Sequence, residues 1–301
     1  MKKLMIQIPC FNEEATLPAV LADLPRDVPG FDAVEWLIID DGSTDRTVDV
    51  ARAHGVDHVV RLGSNRGLAR AFLAGLDAAV KLQADVIVNT DGDNQYSGSA
   101  IPDLVAPVVA GRADVVIGDR KTSQIAHFSW LKKRLQSLGS WVVRRFSNSR
   151  VPDATSGFRC WSRDAATRLN LVNTYTYTLE SIIQQGQAGM RIESVPVSTN
   201  AKLRESRLFR SIRSYVSRSA VVILRSYLLY RPFRTFMLLG LLSCAGGTGL
   251  GARFVWHWMN GQGGGKIQSL ILAAALLVIG VQLAITAMLA DLVSANRKLA
   301  E

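Results

Sequence analysis

The stretch DVIVNTDGDNQY, residues 85–96, joins a run of β-branched residues to a tight acidic turn. The run from Asp85 to Thr90 predicts a buried strand, because short apolar segments bounded by turn residues are typical of parallel sheets. Directly after it, Asp91 and Asp93 flank one glycine, so both carboxylates can reach the same hard divalent cation. In proteins such a cation often bridges phosphate oxygens. A lone D-x-D is weak evidence by itself, since many turns contain one.

Four other short apolar runs alternate with helix-like segments in the first 120 residues. They predict strands at Leu4 to Pro9, Trp36 to Asp40, Val59 to Leu62 and Asp114 to Gly118. This alternation predicts a mostly parallel, Rossmann-like α/β sheet with flanking helices. Farther along, MRIESVPVS at 190–198 predicts an edge strand, where Pro196 is tolerated.

Polar or glycine-containing turns follow four of the five predicted N-terminal strands. They are PCFNEE at 9–14, DDGSTD at 40–45, TDGDNQY at 90–96 and GDR at 118–120. Ligands of open α/β sheets bind at the carboxyl ends of the strands, so we expect these four turns to converge on one crevice. Neither G-x-G-x-x-G nor G-x-x-x-x-G-K-[ST] is present, which disfavours a dinucleotide dehydrogenase or a P-loop enzyme.

The net charge of +10 is concentrated in two segments. Residues 120–150 carry eight Lys and Arg without an acid, and residues 202–234 carry nine against Glu205. Such segments require an anionic partner, but we do not expect nucleic acid because both adjoin strongly apolar sequence. Residues 125–147 and 206–231 predict basic amphipathic helices on a membrane surface. For 125–147, a solvated helix edge remains an alternative.

Two uncharged segments, 235–252 and 267–290, are 18 and 24 residues long. At about 1.5 Å per residue both can cross a hydrocarbon core about 30 Å thick, with spans at about 235–256 and 268–290. The connector is short, which predicts a transmembrane hairpin rather than a buried hairpin of a soluble protein. Basic residues on both flanks place the two termini in the cytoplasm. The N-terminus lacks a signal-peptide core, so we expect the preceding domain to be cytoplasmic too.

The chain resembles glycosyltransferase family 2, with its GT-A fold, and within it the polyprenyl-phosphate glycosyltransferases similar to dolichol-phosphate mannose synthase and its bacterial undecaprenyl-phosphate counterparts. The matching motifs occur in the family's order over residues 4–210. They are PCFNEE, DDGSTD, NRGLARAFLAG (65–75), DGDNQY (91–96), GDR, SGFR (156–159) and RESR (204–207).

The resemblance implies a role for each motif. The nucleoside of a nucleotide sugar would contact Pro9, Phe11, Glu13 and Asp40. The Asp91-Gly92-Asp93 turn would hold Mg²⁺ or Mn²⁺ on the diphosphate, with Asp91, Asp93 and Gln95 as ligands. The diphosphate and the acceptor phosphate would contact cations at Arg120, Arg204 and Arg207, and the lipid phosphate would also contact Arg134.

Three positions depart from the family pattern. Gly92 stands where Ala is frequent, Tyr96 where His is common, and Arg207 where Lys is expected. Arginine keeps the charge of lysine but not its geometry.

Several further residues keep two interpretations. Asp45 can belong to the ligand-binding turn or simply cap a helix. Glu180 can contact the sugar or simply occupy a helix N-terminus. Arg159 can fix the loop over the site or form a salt bridge with Asp153, and we favour the salt bridge.

These features predict three regions: a GT-A domain at 1–205, an interface helix at 206–231 and a transmembrane hairpin with a short tail at 232–301. We expect an inverting, metal-dependent transfer of one sugar from a UDP- or GDP-hexose to undecaprenyl or dolichyl phosphate at the cytoplasmic face of the inner membrane. A saccharide-extending enzyme of the same family and a noncatalytic membrane subunit remain alternatives. The resemblance is also compatible with a homo-oligomer such as a tetramer.

Overall fold

The computed structural model describes residues 1–120, 144, 147, 151–171, 177–200, 221, 232–261 and 267–300 of the chain. It divides into two compact units, Met1–Leu224 and Arg225–Glu301. The predicted basic helices at 125–147 and 206–231 lie almost wholly outside the described residues, and so do Arg134, Arg204 and Arg207.

Within the described residues of the first unit, seven strands form one sheet in the order β3-β2-β1-β4-β6-β5-β7. All neighbours pair in parallel except β6, which is antiparallel to β4 and β5. The strands are β1 (Lys3–Cys10), β2 (Ala33–Asp40), β3 (His58–Arg61), β4 (Val86–Asn89), β5 (Val115–Asp119), β6 (Arg159–Ser162) and β7 (Ile192–Pro196).

The five strands predicted from the N-terminal sequence are confirmed, as is the edge position of β7. Strand β6 was not predicted as a strand. It has only four residues, RCWS, and it follows the SGFR motif without any alternation that would mark it. Its place between β4 and β5 is decided by pairings such as Asn89 with Arg159, 70 residues apart in the chain.

Helices cover both faces of the sheet, which explains why its central strands are apolar without alternation. On one face, Ile6 and Ile8 of β1 join a core that also contains Leu17 and Leu104. On the other, Gln7 hydrogen-bonds the Phe72 carbonyl. The helices are α1 (Leu17–Asp23), α2 (Thr47–Ala53), α3 (Leu68–Lys81), α4 (Ile101–Val109), α5 (Arg163–Thr167) and α6 (Thr178–Gln187).

Helix α3 packs tightly against the sheet at Gly75. A Cβ atom there would lie 2.7 Å from Ile39 Cδ1 and would also collide with Gln7 Oε1. We expect Gly75→Ala to lower the free energy of unfolding by about 1–3 kcal/mol, the usual cost of overpacking, although alanine is the better helix former. Urea denaturation of the variant would measure this loss, and an unchanged or higher stability would contradict it.

The second unit contains α7 (Pro232–Met259) and α8 (Ile267–Ala300). Gly240 lies against Gly280, and Gly247 against the Ala273 carbonyl, so the two helices run antiparallel. The Ser243 hydroxyl donates to the Leu276 carbonyl across the interface, at 2.8 Å. Small residues and hydroxyl hydrogen bonds are typical of helix contacts in membranes.

Both helices are longer than predicted. Their membrane-compatible segments are Pro232–Met259 and Ile267–Ser294, each 28 residues long. At about 1.5 Å per residue, 28 residues extend about 42 Å, beyond a hydrocarbon core of about 30 Å. Apolar side chains also cover the outward faces; Leu241 and Val278, for example, are 61% and 70% exposed. Length, composition and these faces together indicate membrane association.

Candidate active site

The turns after β1, β2 and β4 lie side by side, because these three strands are neighbours in the sheet. The Asn12 amide donates to Ser43 Oγ at 2.9 Å and the Glu13 amide to Thr47 Oγ1 at 2.8 Å. The Thr16 hydroxyl donates to the Gly92 carbonyl at 2.8 Å. The expected convergence of these turns is therefore confirmed.

Two asparagines shape these turns. Asn12 and Asn94 have φ angles of 54° and 56°. Asparagine adopts this left-handed conformation more readily than most residues, so its presence in PCFNEE and DGDNQY has a local conformational reason. The Asn12 side chain also accepts a hydrogen bond from the Thr44 amide, at 2.8 Å. Asn12 thus fixes the β1 turn to the β2 turn.

The acidic residues of DDGSTD serve different parts of the structure. Asp40 is buried and accepts from the Ser43 amide at 2.9 Å, with Arg61 on its other oxygen at 3.4 Å. Asp45 accepts from the Thr47 amide, at 3.0 Å, where α2 begins, although the N-cap position itself is Arg46. Asp41, for which no role was predicted, accepts from the amides of Arg66 and Gly67, at 2.7 and 2.9 Å, just before α3.

The carboxylates of Asp91 and Asp93 follow β4. Burial and the negative charge of Asp93 together raise the pKa of Asp91 to about 7, although Arg120 and Arg159 act in the opposite direction. Asp93 accepts a hydrogen bond from the Gln95 amide at 3.1 Å. Among the described residues, none donates a hydrogen bond to the Asp91 carboxylate.

This donor set suits a hard divalent cation. A buried carboxylate whose pKa is raised by a neighbouring carboxylate is stabilised in its ionised form when a cation binds beside both. Within the described part of the chain, no three or more His, Cys, Asp or Glu side chains are grouped so that they could bind a metal ion. A cation here would therefore need further oxygen ligands. Water, a bound phosphate group or the Gln95 side chain could supply them, as is common for Mg²⁺ beside phosphates.

Arg120, in the GDR turn after β5, lies beside this acidic turn. Its guanidinium is 6.0 Å from the centre of the Tyr96 ring. It also donates two hydrogen bonds to Asp153, at 2.7 and 3.1 Å, and a third to Thr155 at 2.8 Å. Burial opposes ionisation of both partners, but Tyr96 and Asp153 outweigh it at Arg120, and Arg120 outweighs it at Asp153. The pKa of Arg120 is consequently raised and that of Asp153 lowered.

The favoured salt bridge between Arg159 and Asp153 is wrong, because Arg120 takes the Asp153 carboxylate. Arg159 is fully buried and donates to the Ser156 and Ala154 carbonyls, at 2.8 and 2.9 Å, and to Ser181 Oγ at 2.8 Å. It therefore fixes the SGFR loop, the other of the two interpretations. Burial lowers the pKa of its guanidinium to about 10.

The remaining predicted site residues differ in exposure. Phe11 is 37% exposed, whereas Pro9 is buried. Glu13 is buried and accepts from the Thr16 hydroxyl at 2.7 Å. Glu180, in the first turn of α6, is buried as well.

The chain is similar to several known proteins. The family model described as glycosyl transferase family 2 matches residues 5–169. Undecaprenyl-phosphate mannosyltransferase of Micrococcus luteus is 28% identical over 212 residues, which cover 67% of this chain and 85% of that protein. Glycosyltransferase AglJ of Haloferax volcanii is 27% identical over 301 residues, 96% of this chain and 92% of that one.

The fold also matches a solved structure. It is glucosyl-3-phosphoglycerate synthase of Mycobacterium tuberculosis, in complex with Mn²⁺, UDP and phosphoglyceric acid. The TM-score is 0.59 at 22% identity, and the match covers 75% of this chain and 78% of that one. The same protein has been solved with Mg²⁺ and UDP.

Proposed function

The chain belongs to glycosyl transferase family 2 and is a transferase, and on this basis we propose that it moves one sugar from a UDP- or GDP-hexose to a polyprenyl phosphate. The observation that carries the proposal is the Asp91 and Asp93 carboxylate pair beside the buried guanidinium of Arg120. The relatives that act on polyprenols, such as the M. luteus enzyme, support the choice of acceptor. The apolar helices α7 and α8 support a lipid substrate.

We assign the nucleoside of the donor to the turns after β1 and β2, at Pro9, Phe11, Glu13 and Asp40. Phe11 is the exposed member of this group, and its ring can stack on a base. The buried members would shape the pocket. Asp40, held by Ser43 and Arg61, keeps a fixed carboxylate at its floor.

We assign the diphosphate to the Asp91-Gly92-Asp93 turn, with Gln95 as a further ligand. A bound Mg²⁺ or Mn²⁺ supplies positive charge where negative charge develops on the departing diphosphate. Asp91 and Asp93 would hold that cation, and the fixed guanidinium of Arg120 would add a second positive charge. The fold is shared with a protein solved in complex with Mn²⁺ and UDP, which supports a divalent cation and a nucleoside diphosphate as the groups bound here.

Arg204 and Arg207 are the other cations that we assign to the phosphates. Both lie outside the described residues, but the segment that precedes them is described. The Asn200 amide donates to the Gln95 carbonyl at 2.9 Å, and Thr199 pairs with Tyr96. Arg204 is the fourth residue after Asn200, and four residues span at most about 14 Å. This reach supports a contact between Arg204 and the diphosphate.

The acceptor phosphate is already an anion at neutral pH, so its oxygen can attack the anomeric carbon without a strong general base. The new bond joins C1 to the phosphate oxygen, and the bond from C1 to the diphosphate breaks in one displacement with inversion. The residues of the chain would hold the two anions in line. Arg120 and Arg134 would contact the lipid phosphate and offset the repulsion between it and the donor.

We further propose that the chain acts at the cytoplasmic face of the inner membrane, with a GT-A domain at 1–205, an interface helix at 206–231 and a hairpin at 232–301. The basic residues on both flanks of the hairpin support cytoplasmic termini. The small-residue interface between α7 and α8 supports a hairpin that crosses the membrane twice.

An assay with the full-length protein in nanodiscs tests the function. The protein is incubated with Mg²⁺, a polyprenyl phosphate and a panel of UDP- and GDP-sugars, and the lipid is analysed by mass spectrometry. We expect one hexose mass to be added to the polyprenyl phosphate, with release of the nucleoside diphosphate. Sugar transfer to oligosaccharides alone would favour a saccharide-extending enzyme. Absence of transfer with every donor would favour the noncatalytic subunit.

Arg134→Ala tests the acceptor assignment. We expect the KM for the lipid phosphate to rise about tenfold or more, the usual cost of one lost charge-assisted hydrogen bond, with a smaller change in the KM for the nucleotide sugar. Arg112→Ala is the matched control, because Arg112 is exposed and its nearest carboxylate, Glu193, is 4.0 Å away. Equal rises in both KM values for Arg134→Ala would contradict a dedicated lipid contact.

A further inference from the structure

The backbone of Gly157, in the SGFR motif, is held on both sides. Its amide donates to the Tyr96 hydroxyl at 2.9 Å. Its carbonyl accepts from Asn89 Nδ2 at 3.0 Å and from the Tyr177 hydroxyl at 3.1 Å. All four residues are buried, so each of these hydrogen bonds lies away from solvent.

The groups that hold Gly157 are themselves fixed by the core. The Asn89 carboxamide accepts from Gln7 Nε2 at 2.9 Å, on the central strand β1. The Tyr96 ring stacks on Phe158, with centroids 5.0 Å apart. The Tyr177 ring stacks on Phe72 of α3, with centroids 3.9 Å apart and planes 6° apart. Rigid aromatic contacts of this kind restrict the hydroxyls to narrow positions.

The fixed glycine lies directly against the Asp91 carboxylate. A Cβ atom added to Gly157 would lie 2.9 Å from Asp91 Oδ2 and 3.0 Å from Oδ1. Both oxygens therefore occupy the space beside the Gly157 Cα atom that the Cβ atom of any other residue would fill. This packing contact restricts where the Asp91 carboxylate can turn.

We propose that Tyr96 and Gly157 are positioning residues, which fix the Asp91 carboxylate in the orientation that binds a divalent cation. The inference rests on the proposed function, in that Asp91 is taken as a ligand of that cation. Tyr96 acts through one hydrogen bond, in which its hydroxyl accepts from the Gly157 amide and fixes the position of that backbone. The fixed backbone in turn limits the rotation of the Asp91 carboxylate. The phenol of Tyr96 spans the distance from the acidic turn to the SGFR loop, which gives this residue a structural role beside the site.

Tyr96→Phe tests the hydrogen bond, because it removes the hydroxyl and keeps the ring on Phe158. Mn²⁺ binding is measured by electron paramagnetic resonance of the free ion, with Mn²⁺ alone and with Mn²⁺ plus UDP. We expect the Kd for Mn²⁺ to rise roughly 10- to 100-fold, the usual effect of losing a residue that orients a metal ligand. Thermal unfolding in EDTA should shift by only a few degrees. An unchanged Kd would overturn the role of Tyr96.

Gly157→Ala tests the packing contact independently. The new methyl group would also lie 3.0 Å from the Tyr177 hydroxyl, but that ring is stacked on Phe72, whereas Asp91 is the end of a flexible side chain. We therefore expect Asp91 to rotate and the Kd for Mn²⁺ to rise by a similar factor with the fold retained. Gly63→Ala is the control, since a Cβ at Gly63 meets nothing within 4 Å, and its Kd should equal that of the wild type. If Gly157→Ala fails to fold in EDTA, the result for Tyr96→Phe decides.

Different results would overturn the positioning role of Tyr96 and Gly157 and the metal assignment of Asp91. Wild-type affinity for Mn²⁺ in both variants would overturn the positioning role alone and leave the transferase proposal intact. A wild-type protein that binds no Mn²⁺, with or without UDP, would overturn the metal assignment and the inference together.

Discussion

Replacing Asp93 by asparagine is expected to lower the kcat of sugar transfer about 10²- to 10³-fold, or about 2.7–4 kcal/mol in the activation barrier. This is the usual cost of removing one electrostatic contributor to a transition state. Asparagine keeps the size and the hydrogen-bonding oxygen of the side chain but not the charge that a divalent cation requires. The measurement is kcat at saturating Mg²⁺, nucleotide sugar and lipid phosphate.

Stability separates this effect from unfolding. Asp93 is the second cause of the raised pKa of Asp91, after burial. Removing its charge relieves repulsion in the metal-free protein, so Asp93→Asn should unfold in EDTA at the same temperature as the wild type or above it. Asp103→Asn, an exposed carboxylate in the first turn of α4, is the control and should change neither quantity. Undiminished sugar transfer by Asp93→Asn would show that the metal assignment is wrong.

The second large effect concerns stability. Asp153→Asn should lower the free energy of unfolding by about 3–5 kcal/mol, because Arg120 would stay buried without its counter-charge. The side chains of Arg120 and Asp153 are only 10% and 1% exposed, so water screens this pair little. Asp164→Asn is the control: its pair with Arg168 is exposed on both sides, and such pairs contribute little. A loss for Asp153→Asn as small as that of the control would contradict the argument.

The same pair predicts a dependence on pH. Arg120 and Thr155 lower the pKa of Asp153 in the folded protein, against the effect of burial. The stability it contributes is therefore fully present above the unfolded pKa of about 3.9 and is lost as the pH falls through the lower folded value. Urea denaturation at a series of pH values from neutral to acidic would measure the free energy of unfolding. We expect it to fall less with decreasing pH in Asp153→Asn than in the wild type. Equal pH dependence in both proteins would argue against it.

The elements that follow from local sequence were predicted well. The runs that form β1, β2, β4 and β5 are apolar because both faces of the sheet are covered, and each is bounded by turn residues. The carboxyl-end turns converge because parallel neighbours end at one edge of the sheet. The membrane-compatible segments were recognised from length and the absence of charge, and only their ends differ.

Choices between distant partners were not predictable in the same way. Strand β6 is too short to show the alternation of apolar and polar residues that marks a strand. Its position depends on pairings with both β4 and β5. The sequence suggested a salt bridge of Asp153 with Arg159, six positions away. The structure instead pairs Asp153 with Arg120, 33 positions away.

The amino-acid sequence by itself determined the first five strands and the edge strand β7, the acidic turn at 91–93 and the apolar hairpin, since each depends on neighbouring residues. Only the tertiary structure decided that Arg120 pairs with Asp153 and that Gly157 rests on Asp91. The physical reason is that burial makes each charge or polar group take the partner that the packed backbone brings within about 3 Å. Tyr96 and Gly157, 61 positions apart, meet because β4 and β6 pair, and spacing along the chain carries no sign of that contact.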